Sequence, residues 1–267
     1  MLPTFELGPW QIGTYGLLIS LALIISGMWS LHRLLRLDYP PAIIVRGFSL
    51  AVLGGFAAFQ IPYLINYWLI ARYGLLARLE GQNLIWAIGG AIGVAVIHCW
   101  MSRTPLGRSL DLAVLPVPLG LAIGRLGCFA AGCCYGRPTD SWLGMYLPDE
   151  HGVWMERYPT QLLSSAVNLL IFFTLLAVER YGMQRMGARH GWPFDGFLAL
   201  LFLDLFSLKR FGMAFLRQSG ATPLLGPFSW MHLNALAGLV VATALIFWNL
   251  SQTRRMKRDT DASLSRR

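Results

Sequence analysis

The sequence predicts an all-α integral membrane protein with a bundle of about seven transmembrane helices. Three observations carry that prediction. Hydrophobic residues make up 55% of the 267 and charged residues only 13%, against about 25% charged in a soluble domain. Mean hydropathy is +0.53. Long apolar runs recur along the whole chain, so this is no soluble domain with one apolar anchor.

A bilayer span needs roughly 20 mainly apolar residues. Seven segments qualify, near 12–31, 41–69, 83–101, 110–131, 160–179, 194–216 and 230–250. No Lys or Arg precedes the first within Met1 to Pro9, so a cleavable signal is not expected there and the first span stays. The second is long and contains Arg46, Gly54, Gly55 and Pro62, which suggests tilt or a break. The fourth and sixth carry charges. Residues 1–250 read as a single transmembrane domain, and 251–267 as a basic, unstructured cytoplasmic tail.

The net charge of +9 comes from short basic clusters between apolar runs, not from a nucleic-acid groove. Arg33 and Arg36 follow the first span, Arg103 and Arg108 the third, and Arg180, Arg185 and Arg189 the fifth. Arg254, Arg255, Lys257, Arg258, Arg266 and Arg267 follow the seventh. With seven spans these fall on one face, which places the N-terminus outside and the C-terminus in the cytoplasm. Arg72, Arg78, Arg137 and Arg157 fall on the opposite face, where anchoring does not account for them.

Charges inside apolar runs are the informative residues. Arg, Lys or Asp at mid-bilayer costs about 2.5–3.5 kcal/mol even on the lenient insertion scale. Arg46, Arg125, Asp204, Lys209 and Arg210 lie in such runs, with Arg217 at the end of the sixth. Arg210 and Arg217 are seven residues apart and share a helix face, about 10 Å apart along the axis. Lys209 points about 100° away from Arg210 and reads as a snorkelling or internally paired residue, with Asp204 a possible partner. Arg125 and Arg210 read as functional, since a fixed guanidinium facing a cavity can grip a phosphate with two hydrogen bonds.

The strongest local signal is Gly124-Arg125-Leu126-Gly127-Cys128-Phe129-Ala130-Ala131-Gly132-Cys133-Cys134-Tyr135-Gly136-Arg137. Its glycines let a backbone come close to a ligand, and its two arginines make it an anion site by composition. Packing is the simplest role for Cys99, Cys128, Cys133 and Cys134. No metal-ligand spacing is visible, and no cofactor is expected.

That segment resembles the signature of the prolipoprotein diacylglyceryl transferase family, in a divergent Gly-Cys-Phe-x-x-Gly-Cys-Cys-Tyr-Gly branch. Tyr15-Gly16 matches the family's Tyr-Gly in the first span, and Gly89-Gly90 the paired glycines of its His-Gly-Gly motif. Tyr158-Pro159-Thr160-Gln161-Leu162 is similar to its His-Pro-Thr-Gln-Leu-Tyr stretch, and Arg210 and Arg217 match its Arg-x-x-x-Glu-x-x-Arg run. Three positions depart: the family's histidine aligns with Ile88, its asparagine with Cys128 and its glutamate with Ala214. Neither His98 nor the loop residue His151 obviously replaces that histidine.

The resemblance implies a multi-pass enzyme of the bacterial inner membrane. It would move the diacylglyceryl group of phosphatidylglycerol onto the lipobox cysteine of an exported prolipoprotein and release glycerol 1-phosphate. Arg125 and Arg210 would hold the phosphate. Tyr15, Gly89, Gly90, Cys128, Gly136, Arg137, Gln161 and Arg217 would bind substrate. A lipid-binding or thiol-redox protein that has lost the transferase chemistry is the alternative. A small-solute transporter is disfavoured, because no inverted repeat is visible.

Overall fold

The computed structural model of the chain describes residues 4–8, 10–74, 83–149, 152–186, 192–217 and 228–264. They form two compact units, residues 31–109 and the remainder. Arg78 and His151 lie outside the described residues.

In the first of these units, α2 (Pro41–Tyr73) packs on α3 (Asn83–Ser102). Pro41 starts α2, where its missing N–H costs nothing. Gly74 ends it in the left-handed conformation and donates its N–H to Ile70 O at 3.0 Å. Of the two alternatives, tilt or a break, the break does not occur, since α2 runs through the buried Pro62 as one 33-residue helix. At about 1.5 Å rise per residue it is longer than the roughly 30 Å hydrocarbon layer.

Small residues let α2 and α3 approach closely. A Cβ on Gly90 would meet Ala58 and the Gly54 carbonyl, and one on Gly47 would meet the His98 ring. His98 Nε2 donates to Ile43 O at 3.1 Å, with the Ser102 hydroxyl at 3.3 Å. His98 is therefore a packing and hydrogen-bonding residue of this helix pair.

The other unit begins with a hairpin, β1 (Thr4–Leu7) and β2 (Trp10–Gly13), that leads into α1 (Thr14–Leu34). The expected fourth span is two helices, α4 (Leu106–Val114) and α5 (Val117–Ala130), joined at Leu115 and Pro116. A second hairpin, β3 (Met145–Pro148) and β4 (Trp154–Arg157), follows. Then come α6 (Thr160–Met186), α7 (Phe197–Leu216) and α8 (Trp230–Leu264). Neither hairpin was expected, because four-residue strands carry too little periodicity to stand out from loops. The tail expected to be unstructured continues α8 as helix as far as Leu264.

Helices α5, α6, α7 and α8 pack in sequence order. Leu115, Ile171, Phe172, Leu175 and Leu198 form their buried core. The start of α7 is capped from far along the chain: Asp111 accepts hydrogen bonds from Gly196 N at 2.7 Å and Ala199 N at 3.0 Å. This satisfies orphan donors of the first turn and places a negative charge at the positive end of the helix.

Five helical stretches are long and apolar enough to cross a membrane among the described residues: Thr14–Leu34, Pro41–Tyr73, Leu106–Ala130, Thr160–Arg185 and Trp230–Arg255. The other two expected segments are also helical. One contains the shorter apolar helix Trp86–Ser102. The other is α7, which carries Asp204, Lys209 and Arg210.

Candidate active site

Helices α5, α6, α7 and α8 enclose a cavity lined by Arg125, Thr160, Ser164, Phe206, Lys209, Arg210, Met213, Arg217 and Met231. On α7, residues 206, 209, 210 and 213 fall within an arc of about 100° at 3.6 residues per turn, and Arg217 follows the helix end. Lys209 and Arg210 therefore diverge and still reach the same space. The expectation for Lys209 is corrected here. It faces the cavity, donates to Asn168 Oδ1 at 2.8 Å and lies 4.5 Å from the Phe206 ring centroid. Asp204 is engaged elsewhere, accepting the Thr243 hydroxyl at 2.6 Å.

Four cations thus share a cavity whose lining contains no carboxylate. Arg210 Nε is buried, and no described residue accepts its hydrogen bond. Like charges held together out of water are costly unless an anion compensates them. Thr160 and Ser164 add hydroxyls one helical turn apart on α6, and Asn168 continues that stripe by another turn. An apolar groove between α6 and α7 adjoins the cavity; it is lined by Val167, Leu170, Ile171, Leu205, Leu208 and Gly212 and shares Lys209 and Met213 with it.

A short extended segment sets the position of Arg217. Gly136 N donates to Tyr158 O at 3.0 Å and Arg137 N to Leu216 O at 2.9 Å. Gly136 is bridged to Arg217. A Cβ on Gly136 would strike the Tyr158 backbone, so this close contact requires glycine. Arg137 is exposed beside it. Arg157 is buried, with an ion pair to Asp149 at 2.9 Å and its guanidinium over the Tyr135 ring. Its work is structural.

Gln161 is fully buried and does not line the cavity. It clamps the turn after α5, where its Nε2 donates to Cys133 O at 2.7 Å. Thr160 does both, since it lines the cavity and its hydroxyl donates to Cys134 O at 2.8 Å. That turn folds back on itself: Cys133 N donates to Cys128 O at 3.1 Å, with Gly132 at φ 73° and Cys134 at φ 60°. The three sulfur atoms of Cys128, Cys133 and Cys134 consequently lie within 4.8 Å of one another. The linear spacing concealed this potential ligand set, because it depends on two left-handed residues.

Hydrogen bonds from Cys128 and Cys133, and then the nearby Arg217 and Arg125, hold the Cys134 thiol well below the usual range. Hydrogen bonds with Cys128 and Cys134 push Cys133 upward. Tyr15 is half-exposed on α1 and packs along Gly127, within electrostatic reach of this cluster and of Arg125.

The structure therefore brings Arg125, Arg210 and Arg217 to one cavity, places Cys128 and Gln161 on helices that enclose it and Gly136 and Arg137 on the segment bonded to Leu216 and Arg217, and leaves Tyr15 on α1 beside Gly127. Gly89 and Gly90 belong to the α2–α3 unit. Gly90 is taken up by helix packing, and nothing lies within 4 Å of where a Gly89 Cβ would be. Sequence reasoning missed Lys209, Asn168, Thr160 and Ser164. The four-residue spacing of 160, 164 and 168 within an apolar helix was the available signal. His232 is buried among Phe211, Phe215 and Phe228 and accepts from Ser229 N at 3.1 Å. It does not line the cavity.

Comparison with known proteins agrees with the ordered motifs. The family model for prolipoprotein diacylglyceryl transferase matches residues 3–248. The chain is 27% identical over 260 residues to phosphatidylglycerol–prolipoprotein diacylglyceryl transferase 2 of Clostridium perfringens (strain 13 / Type A), covering 92% of this chain and 94% of that protein. It is 29% identical over 266 residues to the phosphatidylglycerol–prolipoprotein diacylglyceryl transferase of Dehalococcoides mccartyi, covering 96% and 95%. With the protein of that name from Rhodospirillum rubrum it shares 30% identity over 232 residues, covering 81% and 79%. The chain belongs to the prolipoprotein diacylglyceryl transferase family.

Proposed function

We propose that this protein is a membrane transferase that moves the diacylglyceryl group of phosphatidylglycerol onto the lipobox cysteine thiol of a prolipoprotein, with glycerol 1-phosphate as the leaving group. The observation that carries the reading is the cavity lined by Arg125, Lys209, Arg210 and Arg217 without a carboxylate. The reaction is a displacement at carbon by sulfur. Charge develops on the departing phosphate, and cations already in place stabilise it without reorganisation.

Arg125 and Arg210 grip the phosphate, Lys209 adds a point charge, and the Ser164 hydroxyl donates to a remaining oxygen. The adjoining groove between α6 and α7 takes an acyl chain, which suits a diacyl lipid better than a free phosphate. Arg217, held by the Gly136–Arg137 segment, guards the cavity where the head group enters. The family's histidine and glutamate positions are Ile88 and Ala214, so thiol activation does not come from those side chains.

The protein sits in the bacterial inner membrane with seven spans, its N-terminus outside and its basic C-terminal helix in the cytoplasm. The clusters from Arg33 to Arg255 on alternate connections favour this arrangement. The exported signal-peptide region of the prolipoprotein then meets the site from the outer face.

The test is direct. Purified protein is incubated with head-group-labelled phosphatidylglycerol and a lipobox peptide, and thioether formation and glycerol phosphate release are both measured. Stoichiometric appearance of both supports the transferase. Lipid binding without either product would replace it with the lipid-binding reading.

A further inference from the structure

Cys128, Cys133 and Cys134 do not line the cationic cavity, yet the chain goes to some length to gather them. All three are free thiols. Cys134 is a non-glycine residue at φ 60°, next but one to Gly132 at φ 73°. Such a conformation is uncommon for a side-chain-bearing residue and persists only where its surroundings hold it. Here two side-chain bonds from α6 do so, from Thr160 to the Cys134 carbonyl and from Gln161 to the Cys133 carbonyl. Packing alone does not require three sulfurs to converge within 4.8 Å.

The spacing suits a metal. Zn–S bonds of about 2.3 Å in a tetrahedron put sulfurs about 3.8 Å apart. Closing from 4.8 Å or less to that separation takes shifts of about 1 Å or less. The ligand set is all sulfur, which selects a soft or borderline ion over magnesium or calcium. Three thiolates and Zn2+ carry a net negative charge, and the guanidiniums of Arg217 and Arg125 lie within electrostatic reach of the cluster. Three protein ligands leave one tetrahedral position free, the arrangement of catalytic rather than structural zinc.

We propose that Cys128, Cys133 and Cys134 form a trithiolate Zn2+ site whose fourth position binds the acceptor thiol. The second half rests on the transferase reading above. Thr160 joins the two regions, since it bonds the Cys134 carbonyl and lines the cationic cavity. A thiol that coordinates zinc gives up its proton, here to solvent. The resulting thiolate attacks the glyceryl carbon of the lipid. The C–S bond forms as the C–O bond to phosphate breaks, and glycerol phosphate departs with the electron pair. No oxidant or reductant is needed. The ion thereby does the work for which Ile88 and Ala214 are unsuited.

The experiment uses the full chain in detergent, reduced, freed of metal by chelation and titrated with Co2+ as a visible substitute for Zn2+. One Co2+ per chain should bind, with thiolate-to-cobalt charge-transfer bands and the visible bands of a tetrahedral ion, and Zn2+ should displace it. Cys128→Ser and Cys134→Ser should each weaken binding at least tenfold, and Cys99→Ser should leave it unchanged. A lipobox peptide should shift the visible bands, and its Cys→Ser analogue should not.

Absence of the charge-transfer bands while the thiols titrate as free overturns the site, as do bands unchanged in both cluster variants. Glycerol phosphate release is followed in parallel on chelated and Zn2+-reloaded protein. Full turnover after chelation overturns thiol activation and leaves the transferase reading standing. Metal bands without turnover at any zinc content overturn the transferase reading and leave the metal site standing.

Discussion

His98 in the α2–α3 pair and the basic residues of the cavity between α5, α6, α7 and α8 are all polar side chains inside apolar helices, and the fold treats them oppositely. In the pair, His98 bonds the Ile43 carbonyl, lies beside the Ser102 hydroxyl and fills the space that Gly47 leaves. In the cavity, four cations face one another without a carboxylate, and Arg210 Nε has no described acceptor. A polar residue in an apolar run is thus weak evidence of function by itself. The discriminating property is a set of like charges gathered on one cavity without a counter-charge, because holding them together out of water costs stability that an anionic ligand returns.

The largest effect should come from the cavity. Arg125→Ala and Arg210→Ala should each lower glycerol phosphate release by about 10²–10³-fold, the usual cost of removing a donor aimed at developing charge. Size-exclusion profiles should stay those of folded protein. Wild-type turnover in both variants would break the comparison, making these arginines as structural as His98.

Gly90→Ala tests the other side. Its methyl group meets Ala58 and the Gly54 backbone, and overpacking of this kind costs about 1–3 kcal/mol. A lower thermal midpoint with unchanged turnover per folded molecule is expected. A raised KM at full stability would return Gly90 to the substrate site.

Lys209→Met retains the contact with Phe206 and removes one charge together with the donor to Asn168. Turnover should fall about tenfold, equivalent to about 1.4 kcal/mol. No change would mean that Lys209 only stabilises α6 against α7. Gly89→Ala should have the smallest effect. Nothing lies within 4 Å of the added methyl, and alanine in place of glycine in a helix gains up to about 1 kcal/mol. A loss of lipid affinity in this variant would show that both paired glycines contact substrate.

Much of the helical framework was legible because bilayer-length apolar runs are long and strongly patterned. Each of the seven expected segments is helical, and among the described residues five helices are long and apolar enough to cross a membrane. The small elements were not legible. The two hairpins are four residues per strand, and the split at Leu115–Pro116 lies inside one continuous apolar run. The helical course of residues 251–264 was hidden by their polarity.

For the site, Arg125 and Arg210 stood out because an uncompensated charge in an apolar segment is conspicuous without any structure. Lys209 did not, because Asp204 five residues earlier offered a plausible partner. That partner is taken by Thr243, which lies 39 residues further on. Gly89 and Gly90 were grouped with the site by motif order, which carries no information about how closely two helices pack.

By itself the sequence determined a membrane body of apolar helices, intramembrane arginines in want of an anion, and the resemblance to a lipid-dependent transferase family. These follow from composition, period and local order, which are properties of the chain read along its length. Only the tertiary structure decided that Arg125 and Arg210 share a cavity with Lys209 and Arg217, that Gln161 clamps a turn, and that three cysteines converge. The last two depend on left-handed residues at 132 and 134 and on hydrogen bonds between residues 26 and 28 positions apart. Such long-range contacts leave no periodic trace in the sequence.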